Sequence, residues 1–228
     1  CVDIPMLLGT PDNQGVFDNT APAPGTPFST LNLAAALRDV GVSFVGYSED
    51  LPEVGSEIDQ VLSYWRKHNP WVNWQGVGVN QLPITMNQPF TAFPADLASL
   101  PRVSIVVPNQ DHDMHDGTIA QADAWLQANI KPYADWAMNH NSLLIITWDE
   151  DESASRNRIP TIFVGPMVVP GEYDQTWTLH NLLRTVEDMH GAAHSGSAAQ
   201  VKPIIGPFVG DPAPIEADWF KFAGCRAA

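Results

Sequence analysis

Residues 143–166 read LLIITWDEDESASRNRIPTIFVGP, two apolar runs of strand length with four consecutive acids, Asp149 to Glu152, behind the first. A short apolar run without alternation suits a strand buried on both faces, as in a parallel sheet covered by helices on each side. VSIVV (103–107) and VSFVGY (42–47) repeat the pattern, as does TIFVG (161–165) at the end of the opening stretch. Helical periodicity lies around and between these runs.

STLNLAAALRDVG places Leu33, Leu37 and Val40 on one face and stops at Gly41, a natural residue just past a helix end. TIAQADAWLQANIKPYADWAMNHN begins with Thr118 and Gln121 in capping-box spacing and repeats Ile119, Ala122, Leu126, Ile130, Tyr133 and Ala137. Pro132 is expected to kink or split it. TWTLHNLLRTVEDMHG repeats Leu179, Leu182, Leu183, Val186 and Met189 before Gly191. Alternating helices and strands predict an α/β fold, a predominantly parallel sheet flanked by helices on both faces, in a single domain over 1–228. Residues 48–102, rich in Pro, Asn and Trp, are expected to form an irregular, lid-like excursion. A Pro- and Ala-rich tail over 200–228 is expected to end in poorly ordered residues unless a disulfide ties them down.

Eleven basic residues against 26 acidic give a net charge of −15, which argues against nucleic acid or an anionic membrane as the main partner. No apolar run approaches the ~20 residues that cross a bilayer, so no integral membrane contact is expected. The two cysteines, Cys1 and Cys225, stand at opposite ends of the chain. A disulfide between them and two unpaired thiols are both compatible with the sequence, and the composition suits a secreted, periplasmic or cell-surface protein.

In an open parallel sheet, ligands bind beyond the carboxyl ends of the strands. PNQDHDMHDG follows Val107 and WDEDE follows Thr147, so two strand ends bring carboxylates and imidazoles toward one region. Clustered carboxylates repel one another unless protonated or neutralised by a cation. Oxygen ligands beside histidine point to zinc, iron or manganese more than to magnesium. A calcium loop starting at Asp149 fails, because Ala154 and Pro160 occupy the positions of its turn glycine and bidentate glutamate. The acids divide by position: Asp149 lies at the strand terminus, whereas Asp151 and Glu152 suit a solvated loop. His115 and His68 are candidate site histidines, the alternative being a capping or core-edge residue for His115 and an incidental surface residue for His68.

The blocks GYSEDLP (46–52), RKHNPW (66–71), VPNQDHDMHDG (107–117), HNSLLIITWDEDE (140–152), NRIPTIFVGPMVVPG (157–171) and LLRTVEDMHG (182–191) occur in order. Together they resemble the phosphoesterase family of acid phosphatases and phospholipases C, within the alkaline-phosphatase-like superfamily. The resemblance implies a Ser or Thr nucleophile, a metal held by consecutive acids after a core strand, and histidines that contact phosphate or leaving group. It carries these roles to Thr10 as nucleophile, Asp149 and Glu150 as metal ligands, and His115 and His68 as the histidines. Pro11 stands where the family has glycine, and Leu179 where it often has a histidine, with His180 adjacent. The family's early Glu-Asn ligand pair has no counterpart here, so the expected core lacks its N-terminal part. The implied activity is metal-dependent hydrolysis of small phosphomonoesters, as in acid phosphatases, through a phosphoryl-threonine. The alternatives are a phospholipase C-type phosphodiesterase and a catalytically inactive extracellular binding module.

Overall fold

The computed structural model describes residues 21–151, 157–209 and 219–224, and shows a mixed α/β architecture. Strands β1 (Phe44–Ser48), β4 (Asn87–Pro89) and β5 (Val103–Val107) pair in parallel, with β1 in the middle. Beyond β5 come β8 (Trp219–Gly224), β6 (Leu143–Trp148) and β7 (Thr161–Val164), completing the order β4-β1-β5-β8-β6-β7. A separate hairpin joins β2 (Gln60–Val61) to β3 (Tyr64–Trp65).

Alternation along the strands sorts side chains to two covered faces. Phe44, Val103, Ile105, Leu143 and Ile145 pack with α1 (Leu33–Asp39) and α4 (Leu179–His190). Tyr47, Val106 and Leu144 pack on the other face with Trp125, Ile130, Tyr133 and Ala137, from α2 (Ile119–Asn129), α3 (Lys131–Ala137) and the residue between them. The helix signals act as the sequence implies. Thr118 and Gln121 close a capping box, and Pro132 sits in the first turn of α3, where a missing N–H costs nothing. Gly41 and Gly191 take the left-handed conformation just past helix ends.

One expectation needs correction. The run at 161–164 is not a parallel strand covered on both faces: β7 pairs antiparallel with β6 and stays half-exposed. The connection of about a dozen residues after β6 contains no described helix, and an antiparallel return needs no crossover. Within the tail, Trp219–Gly224 inserts between β5 and β6 and satisfies ladder positions on both. Residues 48–102 run mostly through 3-10 turns and loops. They supply β4 and bury Trp71, Trp74 and Leu82 in the main core, with Trp71 packed so tightly on β1 that a Cβ at Gly46 would lie 2.2 Å from its ring.

Cys1, Thr10, Pro11, Glu152 and Cys225 lie outside the described residues. No helix among the described residues is long and apolar enough to cross a membrane.

Candidate active site

The carboxyl ends of the parallel strands β1, β5 and β6 open on one edge of the sheet, and the polar segments after them carry the candidate residues. After β1, the Ser48 hydroxyl hydrogen-bonds the side chain of Asn69. Asn69 in turn donates to the Trp65 carbonyl at 3.1 Å, which clamps the 3-10 turn Arg66–His68 against the strand end. His68 is thereby carried to 1 % exposure. The alternative of an incidental surface histidine is excluded.

The segment after β5 folds into a tight loop. Asn109 Oδ1 accepts the backbone N–H groups of Asp111 and His112, and the Gln110 carbonyl accepts those of Asp116 and Gly117. Gly117 passes so close to Asp111 that a Cβ there would meet its carbonyl oxygen at 1.8 Å. Glu49, one residue past β1, fixes this loop from the side. Its Oε2 accepts from the Asn109 N–H and contacts His112 Nδ1, both at 2.9 Å, and its Oε1 accepts from Trp125 Nε1 at 2.8 Å. Ser63, in the β2–β3 hairpin, donates to Asp111 at 2.7 Å.

Inside the loop, Asp113 is fully buried. One carboxylate oxygen accepts the His115 backbone N–H at 2.7 Å, and the other lies 3.2 Å from His68 Nδ1. The two imidazoles meet edge to face with centroids 5.8 Å apart. His68 Nε2 and His115 Nδ1 are buried and have no hydrogen-bond partner among the described residues. Burial pushes the His68 pKa down to about 3, helped by the positive charges of Lys67 and His115 and opposed by Glu150. The Asp113 contact works in the opposite sense, toward a charged ring, and loss of hydration outweighs it. Neutral His68 with its proton on Nδ1, facing the carboxylate, leaves Nε2 as a lone-pair acceptor.

At the end of β6, Asp149 is 1 % exposed and Glu150 half-buried. Glu150 belongs to the same neighbourhood as His68, since its charge acts on that ring. Asp151 serves its own loop: its carboxylate accepts the Arg158 N–H at 3.2 Å, and its N–H donates to Asn157 at 2.8 Å. Among the described residues no three His, Cys, Asp or Glu side chains converge as a ready metal site. His180 opens α4 half-buried with Nε2 unpartnered. His140 and His194 are accounted for locally, by the Trp136 carbonyl and by Asp188.

Sequence reasoning missed Glu49 and underrated Asp113. The signal for Glu49 was present, because SED after an apolar strand has the form of WDE after LLIIT.

The sequence profile described as Phosphoesterase family matches residues 7–193. The chain belongs to the phosphoesterase family. It is 46 % identical over 201 residues to a phosphatidylinositol-3-phosphatase of Mycobacterium tuberculosis, covering 87 % of this chain and 65 % of that protein. It is 30 % identical over 169 residues to an acid phosphatase of Aspergillus fumigatus, covering 68 % of this chain and 38 % of the relative. A phosphate-repressible acid phosphatase of Penicillium chrysogenum shows the same 30 % identity over 166 residues, covering 68 % and 40 %. The chain thus spans less than two thirds of the length of each of these relatives. No solved structure matches it. These relatives are phosphatases, hydrolases of phosphoric ester bonds, and the family resemblance read from the sequence is borne out over a longer stretch than the quoted motifs.

Proposed function

We propose that this protein hydrolyses phosphomonoesters, with a phosphoinositide headgroup as the substrate class, through Thr10 as nucleophile. The observation that carries the reading is the meeting of His68, His115 and Asp113 in one buried cluster within reach of the Glu150 charge. Buried imidazole nitrogens with no hydrogen-bond partner among the described residues are groups prepared for a ligand. The phosphoinositide assignment rests on the mycobacterial relative, and the monoester chemistry on all three relatives.

Asp149 and Glu150 suit two ligands of a zinc, iron or manganese ion, being adjacent carboxylates at the strand end, one of them buried. Further ligands would come from outside the described residues. When bound, such an ion supplies Lewis acidity, offsetting phosphate charge and lowering the pKa of a nearby hydroxyl. In the first step Thr10 Oγ gives up its proton and forms a bond to phosphorus as the ester P–O bond breaks in line, and the leaving alkoxide takes up one proton, so that none is gained or lost overall. Water then attacks the phosphoryl-threonine, releasing phosphate and restoring the hydroxyl. His115 contacts phosphate oxygens or the leaving group, and His68 does so through its Nε2 lone pair, which accepts a hydrogen from a protonated phosphate oxygen or from the attacking water.

Asp149→Ala in the full chain tests the assignment. Loss of bound metal together with loss of phosphatase activity is expected, and wild-type turnover by the variant overturns the proposed site.

A further inference from the structure

The turn that delivers His68 carries two more cations, Arg66 and Lys67, within a chain of net charge −15. Where acids outnumber bases by 26 to 11, a lysine is expected to find a carboxylate, as Lys131 does with Asp135. Lys67 has no carboxylate partner among the described residues and is held over the Trp65 ring, 5.0 Å from its centroid. Among the described residues, Arg66 reaches only the exposed Asp59, at 3.9 Å, and its buried Nε has no hydrogen-bond partner, nor has the neighbouring Trp65 Nε1. Holding a cation on an aromatic ring orders it while leaving its N–H donors uncommitted. Lys67 directly precedes His68 on this turn, and its charge acts on the His68 ring. The hairpin and the Ser48–Asn69 clamp hold this turn in place, which makes the two cations part of a built surface.

We propose that Arg66 and Lys67 form a second anion subsite beside the histidines, which accepts the phosphodiester of a phosphoinositide while its phosphomonoester occupies the His68–His115 site. The inference rests on the phosphoinositide reading above and goes further by naming the residues that recognise the rest of the headgroup. A phosphoinositide monophosphate carries two anionic groups on one ring, a monoester to be cleaved and a diester leading to glycerol. A site that grips only the monoester does not distinguish it from any other phosphate. A cation pair carried on the same turn as His68 does, because the second contact is made only when both groups are present.

Titration of the full chain with glycerophosphoinositol, which carries the diester and no monoester, reads the subsite without turnover. Wild type and Lys67→Arg are expected to bind it, and Lys67→Gln to bind about tenfold more weakly, as for loss of a charge-assisted hydrogen bond. Absence of binding by folded wild type, or equal binding by Lys67→Gln, overturns the proposal. A second arm compares kcat/KM for soluble short-chain phosphatidylinositol 3-phosphate with that for inositol 3-phosphate. The ratio is expected to fall in Lys67→Gln and to recover in Lys67→Arg, and an unchanged ratio also overturns the subsite. If wild type hydrolyses neither compound, the proposed function fails, while the glycerophosphoinositol titration still decides the subsite on its own.

Discussion

His68 Nδ1 and Asp113 Oδ2 lie 3.2 Å apart, the ring 1 % exposed and the carboxylate fully buried. The other Asp113 oxygen accepts the His115 backbone N–H, so one carboxylate sets the orientation of one imidazole and the position of the next. Asp113 is a positioning residue: it acts through the histidines. Asp113→Asn keeps the shape and the acceptor for His115 but can turn an amide N–H toward His68 Nδ1, favouring the tautomer with its proton on Nε2. Turnover is expected to fall on the order of 10²- to 10⁴-fold, as when a histidine is held in the wrong tautomer. Imidazole nitrogen NMR shifts of His68 are expected to show the proton moved. An unchanged tautomer with unchanged kcat would remove Asp113 from this role.

Glu49 supports the same histidine loop from β1. Three donors converge on its carboxylate, from Asn109, His112 and Trp125, and they tie the β1 end, the β5 loop and α2 together. Glu49→Ala leaves the Asn109 and Trp125 N–H groups to find other partners. A loss of about 2 kcal/mol in unfolding free energy is expected, as for unsatisfied buried donors. Hydrogen exchange is expected to quicken first in residues 109–117. Uniform destabilisation, with that loop no faster than the rest, would contradict the bracing role.

The parts of the fold that were legible in the sequence are those fixed by local pattern. Val103–Val107 and Leu143–Trp148 are apolar on both faces, and the caps at Thr118, Gly41 and Gly191 are side-chain or backbone rules that need no tertiary context. Asn87–Pro89 was not legible, since its place in the sheet depends on β1 being beside it and on Asn87 receiving the Trp71 indole N–H at 2.9 Å. The depth of His68 was hidden for the same reason. Its burial comes from the Ser48–Asn69 contact between residues 21 apart in sequence. Asp149 was legible because a buried strand that ends in an acid is itself a local pattern.

Trp71 lies across Gly46, and this contact fixes how the excursion after β1 returns to the sheet. A Cβ at residue 46 would stand 2.2 Å from the indole. Gly46→Ala must therefore push the ring away and with it the Trp71–Asn87 hydrogen bond. Overpacking of this kind is expected to cost about 2 kcal/mol or more, read as a lowered denaturant midpoint. Because the displaced segment follows directly on His68, activity is expected to fall in conditions where the variant is still folded. Wild-type activity in folded Gly46→Ala would show that the turn and the ring move independently.

Glu187, on the buried face of α4, is fully enclosed and accepts the Ser195 N–H at 2.8 Å. Burial raises its pKa to about 7, with Ser195 and Arg184 opposing and Asp188 assisting. The folded state therefore keeps a proton that the unfolded chain releases at about 4.5. The stability linked to this proton is fully present below the unfolded pKa and is lost as pH rises through about 7. His190 pulls the other way, its pKa lowered to about 4 by burial and by Arg102, so its contribution is lost as pH falls from 6.5 toward that value. Comparison with Glu187→Gln isolates the first effect, since the amide can accept the same N–H and carries no titrating proton. The two proteins are expected to have similar stability at pH 4, and the variant to be more stable by about 3 kcal/mol at pH 8. Denaturant unfolding at both pH values measures the difference. A constant gap between the proteins across that range would mean that Glu187 has the same pKa in the folded and unfolded states.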